Sequence, residues 1–149
     1  MYEEVEICVE LVSPDVQLPA YSKPGDAGMD VRSTKDIDVM PGQTVLIPTG
    51  LKVAIPEGYE IQVRPRSGLS YKTPLRVSNS PGTIDSGYRD EICVIMTNTS
   101  ATEICKIVKG DRVAQFVLQK VPMAAFKIVD SVANIGENRG GGFGSTGTK

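Results

Sequence analysis

The sequence predicts an all-β domain followed by a flexible, glycine-rich end. Apolar residues recur at every second position in many short segments, which is the periodicity of half-buried strands. Proline and glycine separate these segments, and both residues favour turns over the interior of a sheet. No amphipathic stretch is long enough for a substantial helix. Many short strands are typical of a sandwich, a barrel or a jelly roll, and periodicity does not distinguish among the three.

Several segments carry the strand pattern. The first alternates Val5, Ile7, Val9 and Leu11 with polar or small residues. Turn sequences such as Ile55-Pro56-Glu57-Gly58 separate the segments that follow. The remaining predicted strands lie in residues 45–51, 59–63, 92–96, 104–108, 113–121 and 126–129.

Length and composition are those of one soluble globular domain. The chain has 149 residues, of which 40% are hydrophobic and 23% charged. A net charge of -2 gives no general attraction to nucleic acid or to anionic membranes, so we expect neither as a partner. Any phosphate must therefore be bound by a local site. The acidic start lacks the features of a secretory signal, and we expect a cytoplasmic or nuclear protein.

Cysteine and histidine content narrows the chemistry further. Cys8, Cys93 and Cys105 are odd in number, lack CxxC spacing and lie among aliphatic residues. They are expected to be buried free thiols in a reducing compartment. The chain has no histidine, which excludes Ser-His-Asp triads, Cys-His nucleophiles and histidine-ligated zinc.

Three polar segments, at residues 64–70, 27–33 and 110–116, suggest a phosphate and metal site. Arg66, Ser67 and Gly68 offer a cation, a hydroxyl donor and an open backbone N–H to phosphate oxygens, although such a string is more often an ordinary turn. Asp30 suits a hard cation that keeps its waters, and Gln115 suits donation to a phosphate oxygen. Structural ion pairs at turn-to-strand junctions are the alternative for both of these residues.

The segment from Asn79 to Cys93 resembles a hairpin with an acidic residue near its mouth. A turn at residues 79–82 precedes it, and a strand follows from residue 92. In a chain without histidine, Asp85 is the candidate general base toward water. The alternative, an acidic residue that only accepts local hydrogen bonds in a turn, is the commoner one for any single motif of this kind.

The glycine-rich end differs in character from the rest. From residue 134 the apolar alternation stops, and so much glycine makes an ordered conformation costly in entropy. Composition alone favours a flexible tail that has no function. Phe143, however, lies near a cation and two hydroxyls, which suits a mobile lid over a nucleotide. We divide the chain into a β domain, 1–133, and a flexible arm, 134–149.

Taken together and in order, these segments resemble the five signature motifs of the trimeric dUTPase family, over about residues 5–147. The most specific are Gly-Thr-Ile-Asp-Ser-Gly-Tyr-Arg at 82–89 and Gly-Phe-Gly-Ser-Thr-Gly at 142–147. The resemblance implies a distorted jelly-roll or β-barrel subunit (the β-clip) in a homotrimer with shared active sites. It also implies magnesium-dependent hydrolysis of dUTP to dUMP and pyrophosphate, which lowers dUTP and supplies dUMP for thymidylate synthesis.

The same resemblance implies a role for each motif residue. Asp85 would deprotonate the water that attacks the α-phosphorus, and Asp30 would help to hold Mg²⁺ through water. Tyr88 would exclude a 2′-OH, and Phe143 would stack on uracil. The implied binding residues are Arg66, Ser67, Gly68 and Gln115 for phosphate, Asn79, Gly82, Thr83, Ile84, Tyr88 and Cys93 for base and sugar, and Arg139, Phe143, Gly144, Ser145 and Thr146 in the arm.

One departure from the family pattern and three rival functions accompany this assignment. The family arm reads Arg-Gly-x-Gly-Gly-Phe-Gly, whereas Arg139 here lies only four residues before Phe143. The shorter spacing bears on the role of Arg139 and on arm closure, not on the reaction class. The rivals are a dCTP deaminase, a catalytically silent nucleotide binder and a structural jelly-roll protein. The hairpin offers no obvious extra carboxylate for deamination. The presence of Asp85, Asp30, Arg66, Ser67 and the arm argues against a silent binder, and a structural protein would leave the polar motif residues unexplained.

Overall fold

The computed structural model describes residues 2–144 and 146–149 and has short strands throughout most of its length. A single short helix, α1, is the exception within those ranges. The elements are β1 (Cys8–Leu11), β2 (Ala20–Tyr21), β3 (Met29–Arg32), β4 (Ile37–Val39), β5 (Thr44–Pro48), β6 (Leu51–Ala54), β7 (Tyr59–Arg64), α1 (Ser67–Lys72), β8 (Leu75–Val77), β9 (Gly82–Ile84), β10 (Cys93–Asn98), β11 (Cys105–Ile107) and β12 (Arg112–Lys120).

The strands pair antiparallel in two larger and two smaller sheets. The largest sheet has the order β2-β3-β12-β7-β9, and a three-stranded sheet has the order β5-β10-β8. The pairs β1-β6 and β11-β4 complete the fold. Almost every neighbour is distant along the chain, as in a jelly roll. The all-β prediction is therefore confirmed.

One continuous hydrophobic core joins the two larger sheets. Phe116 on β12, Ile47 on β5 and Met96 on β10 are all essentially inaccessible to water. Burying side chains of this size stabilises the fold by about 1.5–3 kcal/mol each relative to exposure. The core thus fixes which face of each sheet points inward and leaves the opposite face of the five-stranded sheet for polar residues.

Glycine divides one predicted strand in two. Residues 45–51 read as one strand, but β5 ends at Pro48 and β6 begins at Leu51. Between them Gly50 has φ +74, and a Cβ there would lie 2.5 Å from Val16 Cγ2. A side chain is excluded by both the left-handed backbone and the close contact, so the chain turns at this glycine.

The predicted strand at residues 126–129 is wrong. Phe126 and Ile128 alternate as a strand would, but both are almost fully exposed, and the last strand ends at Lys120. A strand needs a neighbour for its backbone N–H and C=O groups, and this segment has none within the described chain.

The cysteine prediction is half right. All three thiols are free, but Cys8 is exposed and the other two are only partly buried. Cys8 lies on β1, a strand whose residues are all exposed. Burial raises the pKa of the Cys93 and Cys105 thiols, with a smaller contribution from a neighbouring carboxylate in each case.

No helix in the described ranges has the length and apolar character needed to span a membrane.

The side chain of Asn98 connects two other segments of the chain by hydrogen bonds. This side chain is completely buried, and its Nδ2 donates to the carbonyls of Val39 at 2.9 Å and Glu103 at 2.7 Å. We expect Asn98→Ala to lower the free energy of unfolding by about 2–4 kcal/mol, because the buried Val39 carbonyl and the partly buried bond to Glu103 lose their donor. Urea denaturation at fixed protein concentration measures this. The exposed Thr102→Ala is the control, and equal stability of the two variants would contradict the assignment.

Candidate active site

A row of polar side chains crosses the outer face of the five-stranded sheet. Gln115 on the central strand β12 lies opposite Asp30 on β3 and opposite Arg64 on β7. Directly opposed residues of antiparallel strands point to the same face, so these three side chains share one surface. The predicted phosphate and metal residues Gln115 and Asp30 are therefore brought together.

Asp30 is the electrostatic centre of this row. Its Oδ1 accepts from Arg66 Nε at 3.0 Å, and its Oδ2 accepts from Ser22 Oγ at 3.2 Å and Arg112 Nη1 at 3.4 Å. Desolvation by burial raises the pKa of this carboxyl, but the charge of Arg66 and the three donated hydrogen bonds outweigh it. The pKa therefore lies below its ordinary value, and the group is ionised at neutral pH.

Arg66 enters the cleft at the point where β7 ends and α1 begins. It is the N-cap of α1, and no side chain caps the first turn of that helix. The N–H groups of Ser67 and Gly68 thus begin the helix with no side-chain acceptor. Both residues are exposed, beside the Arg66 guanidinium. The predicted string of cation, hydroxyl and glycine amide is contiguous in space as well as in sequence.

Gln115 is held by two neighbours of different kinds. Its Nε2 donates to the Pro65 carbonyl at 3.0 Å, which ties β12 to the turn that carries Arg66. On the other side, a Cβ at Gly28 would lie 2.1 Å from Gln115 Oε1. Gly28 is thus a close-approach glycine, and the carboxamide occupies the space that a side chain there would need.

These groups line an open cleft of about 450 Å³. Two arginines and several hydrogen-bond donors line its wall, together with the carboxylates of Asp26 and Asp30. A surface of this composition suits an anion with several oxygens, such as a polyphosphate. The lining residues are Ser22, Asp26, Ala27, Gly28, Asp30, Arg64, Arg66, Ser67, Gly68, Gln115 and Val117.

The donor set fits a metal that arrives with its ligand, not one held by the protein alone. Among the described residues no group of three or more metal-ligating side chains exists, and the cleft contributes only Asp26 and Asp30 as carboxylates. Both oxygens of Asp30 already accept hydrogen bonds. Mg²⁺ is commonly bound by one or two carboxylates plus phosphates and retained waters, which is compatible with this arrangement.

The predicted hairpin of residues 79–93 has a different pairing from the one expected. Its flanks do pair, since β8 and β10 are antiparallel and Ser78 N donates to Ile95 O at 2.9 Å. Between these flanks, however, β9 pairs with β7 in the five-stranded sheet and not with β8 or β10. Gly82 allows this crossing, because a Cβ there would lie 3.2 Å from Val63 Cβ. The segment therefore bridges the two sheets.

Asp85 lies just past the end of β9 and is exposed. Its backbone carbonyl accepts from Tyr88 N at 3.1 Å, whereas its carboxylate has no hydrogen-bond donor among the described residues. Tyr88 is anchored by its hydroxyl, which donates to the Glu91 carbonyl at 3.0 Å. Asn79 and Thr83 are exposed, and Ile84 and Cys93 are partly buried.

Asp85 and the cleft are far apart within one chain. Ile84 pairs with Ile61, so one further step places Asp85 beside Glu60, four residues along β7 from Arg64. At about 3.3 Å per residue, the separation along the strand alone is about 13 Å. None of residues 79–93 lines the cleft. Ser80 and Pro81, at the start of that segment, do share a neighbouring groove with Arg64 and Gln115. Within one chain it is therefore Asp85 that lies apart from the cleft.

The arm lies away from the cleft in this structure. Arg139, Phe143, Gly144 and Thr146 are exposed, and none of them lines the cleft. Phe143 has φ 46 and a fully exposed ring. Ser145, the remaining predicted arm residue, falls outside the described residues.

Sequence reasoning missed several residues that complete the cleft. Ser22 and Arg112 hold Asp30, and Gly28 makes room for Gln115. Gly28 and Arg112 were within the polar segments that the sequence singled out, but only structure shows what they touch. Ser22 had no sequence signal, because it lies in a bend after β2 and its partner Asp30 is eight residues away on β3.

Comparison with known proteins shows the family of the chain. The dUTPase family profile matches residues 15–147. The chain belongs to the dUTPase family. A deoxyuridine 5′-triphosphate nucleotidohydrolase of Streptomyces coelicolor is 46% identical over 143 residues, covering 96% of this chain and 78% of that protein. One from Thermobifida fusca is 42% identical over 147 residues, covering 99% and 82%.

Solved dUTPase structures share the fold. A Staphylococcus bacteriophage 80alpha dUTPase with dUPNHPP has a TM-score of 0.84 at 28% identity, covering 96% of this chain and 99% of that one. A mutant dUTPase from phage phi11 of S. aureus, described with a structural Mg(II) ion, has a TM-score of 0.77 at 27% identity, covering 87% and 99%. The β-clip jelly roll expected for dUTPases is confirmed.

Gly28 offers a direct test of the cleft geometry. In Gly28→Ala the new methyl group would displace the flexible carboxamide of Gln115 and break its bond to Pro65. We expect the thermal transition to stay within a few degrees, while KM for the nucleotide rises to match that of Gln115→Ala. The double variant should be no worse than either single one, because both remove the same contact. Additive losses would contradict this geometry.

Proposed function

We propose that this chain hydrolyses dUTP to dUMP and pyrophosphate, assisted by magnesium. The observation that carries the proposal is the cleft in which Asp30, Arg66 and Gln115 meet on a dUTPase fold. Similarity to two nucleotidohydrolases at 46% and 42% identity over nearly the whole chain supports the same reaction. By that reaction the protein would lower dUTP and supply dUMP for thymidylate synthesis.

The triphosphate would lie along the cleft with its oxygens on the donors of one wall. Arg66 brings the charge, Ser67 the hydroxyl and Gly68 the backbone N–H, while Gln115 keeps one amide hydrogen after donating to Pro65. Charge-assisted bonds of this kind are about twice as strong as neutral ones, so they fix the position of the phosphate chain. Positioning and charge neutralisation are the main catalytic contributions in phosphoryl chemistry.

Asp85 would act as the general base toward the attacking water. Its carboxylate is exposed, is free of donors within the described chain and leads directly from a fixed strand. The base removes a proton as the water oxygen bonds to the α-phosphorus, and pyrophosphate departs. A bound Mg²⁺ supplies charge neutralisation at the phosphate oxygens, and Asp30 would hold it through water.

The segment from Asn79 to Cys93 would bind the base and sugar. Gly82 and Ile84 are fixed by pairing with β7, and Thr83 projects from the same strand. A segment held at both ends accepts a flat base only within a narrow gap, so a 5-methyl group is rejected by overlap. The Tyr88 ring, anchored through its hydroxyl, would pack on the deoxyribose and clash with a 2′-OH.

We further propose a homotrimer in which each active site combines parts of neighbouring subunits. The separation of about 13 Å along β7 keeps Asp85 of one chain far beyond hydrogen-bond reach of its own cleft. A second copy that presents its residues 79–93 to the cleft closes that gap. Closed symmetry then gives three equivalent sites.

Exposed apolar side chains beyond β12 support assembly. Met123, Phe126 and Ile128 are between 82% and 98% exposed, which is unusual for such side chains in a stable monomer. Burial against another copy removes this surface from water.

The arm, residues 134–149, would close over the bound nucleotide. Six of its glycines have positive φ, and Phe143 projects fully into solvent. Such a strip gains order only by binding, when the Phe143 ring stacks on uracil and Arg139, Gly144, Ser145 and Thr146 address the outer phosphates. Because Arg139 lies only four residues before Phe143, one fewer than in the family arm, its reach toward the phosphates differs from that of the family arginine.

Asp85→Asn tests the general base. We expect turnover of dUTP to fall by at least about two orders of magnitude, because general-base catalysis contributes about 10²–10⁴-fold. Binding of an α,β-imido dUTP analogue should change little, since the amide keeps the shape of the side chain. Calorimetry and pyrophosphate release measure the two quantities. Asp90→Asn, five residues along the same loop, is the control, and turnover near wild type in Asp85→Asn would exclude this role.

Mixing two inactive variants tests the shared site. The Asp85→Asn variant keeps an intact cleft, and the Arg66→Ala variant keeps an intact 79–93 segment. A mixed trimer therefore contains some sites in which an intact cleft from one subunit meets an intact segment from another. After joint refolding we expect about a quarter of wild-type turnover, the share of sites that combine the two intact halves at random. Each variant refolded alone is the control. Activity that stays at the level of the separate variants would show that every site lies within one chain.

A further inference from the structure

Asp30 is shared by two arginines, and only one of them lines the cleft. Arg66 lines it, whereas Arg112 reaches Asp30 from the neighbouring groove, whose wall includes both arginines. We propose that Arg112 is a positioning residue for phosphate binding, acting through Asp30 on Arg66. This inference rests on the proposed function, because it assigns Arg112 to the same nucleotide site.

A β-bulge brings Arg112 to the correct face of the sheet. Along β12, Ala114 pairs with Val31 and Gln115 with Asp30, so regular pairing would place Val113 opposite Arg32. The register shifts between Arg112 and Ala114, and Arg112 pairs with Arg32 instead. Residues 30 and 32 share a face, so the shift puts Arg112 on the same face as Asp30. Bulges near active sites commonly redirect a side chain in this way.

The bulge also resolves a conflict between packing and charge. Val113 and Ala114 are consecutive and both buried, which strict alternation does not permit on one face. Val113 is the extra residue of the bulge, so both Val113 and Ala114 can point into the core. Arg112, which precedes Val113, remains on the outer face and is 46% exposed. The irregularity therefore places a cation beside Asp30 without removing an apolar residue from the core.

Because Arg112 shares the Asp30 carboxylate with Arg66, the three groups together present a net positive charge to phosphate. With Arg66 alone, Asp30 would form a one-to-one ion pair with no net charge. With Arg112 also at 3.4 Å, the three groups carry a net charge of +1. The side chains are 20–46% exposed, so the interaction is partly screened by water and modest in size.

Arg112 also constrains the orientation of Arg66 through its backbone. Arg66 Nη1 lies 3.5 Å from the Arg112 carbonyl, at the limit of a hydrogen bond, and Arg66 Nε donates to Asp30 Oδ1. With these two nitrogens directed toward β12 and β3, Nη2 is the guanidinium nitrogen left for a phosphate oxygen. Asp30 and Arg112 thus fix a bound geometry for Arg66 before the ligand arrives.

The test compares Arg112→Gln with Lys106→Gln. Both variants remove one positive charge from the wall of the same groove, but Lys106 pairs only with the exposed Asp38, at 3.7 Å. We expect Arg112→Gln to weaken binding of an α,β-imido dUTP analogue about three- to tenfold and to raise KM by the same factor with little change in kcat. Lys106→Gln should match wild type, and Arg112→Lys should recover most of the loss.

A double-variant cycle tests the route through Asp30. In an Asp30→Asn background, Arg112→Gln should cause no further loss of analogue binding, because the shared carboxylate charge is already absent. Thermal transitions should be similar in all variants, since these side chains are partly exposed. Equal binding by Arg112→Gln and Lys106→Gln would overturn the inference, and so would additive losses in the double variant.

The same measurements separate this inference from the proposed reaction. Wild-type protein that binds the analogue but releases no pyrophosphate from dUTP would contradict the proposed reaction, while the binding comparison would still decide the role of Arg112. Normal turnover with unchanged analogue binding in Arg112→Gln would leave the reaction intact and overturn the inference.

Discussion

The pairing register on both sides of β12 is the constraint on which the rest of the site depends. Gln115 lies opposite Asp30 on one side and Arg64 on the other, so a shift of one residue in either strand would turn one of these side chains into the core. Phe116, the next residue, is fully buried, and it therefore holds Gln115 on the outer face. Hydrophobic packing inside the sheet thus determines the polar arrangement outside it.

The Asp30 carboxylate then organises the groups that the sheet brings together. It accepts hydrogen bonds from Ser22 on one neighbouring segment and from two arginines on others. Asp30 and its two arginines together carry a net charge of +1, which suits a polyphosphate. The charged groups of the cleft are therefore held in place before a ligand binds. The candidate base Asp85, in contrast, follows β9 and lies beside the far end of β7. This separation is the physical reason for expecting assembly to complete the site.

Strands with partners inside the chain were predictable from sequence. Residues 59–63 and 113–121 correspond closely to β7 and β12, because alternation reflects one buried face. Residues 126–129 have the same alternation but no partner strand in the chain, and periodicity alone does not reveal whether a partner exists. The break at Gly50 depended on a contact with Val16, which local sequence does not report.

The candidate site was predictable as a set of residues but not as a geometry. Motif order pointed to Asp30, Arg66 and Gln115, and the structure brings these three together. The roles of Gly28 and Arg112 depend on a close approach and on a β-bulge, respectively, and neither leaves a periodic signal. The crossing of β9 to β7 was missed for a similar reason, since turn residues at 79–82 predict a reversal but not the sheet that receives the next strand.

The most direct measurement is pyrophosphate release from dUTP, dTTP, dCTP and UTP by this protein, with magnesium and with a chelator. Fast release from dUTP alone, lost on chelation, is the expected result. The cleft offers only two carboxylates, so the metal is expected to arrive with the nucleotide and to be removed by a chelator. The 79–93 segment is proposed to select the base and the sugar. Comparable release from dTTP or UTP, or none from dUTP by a protein that binds it, would contradict the assignment of this chain as a dUTP-hydrolysing enzyme.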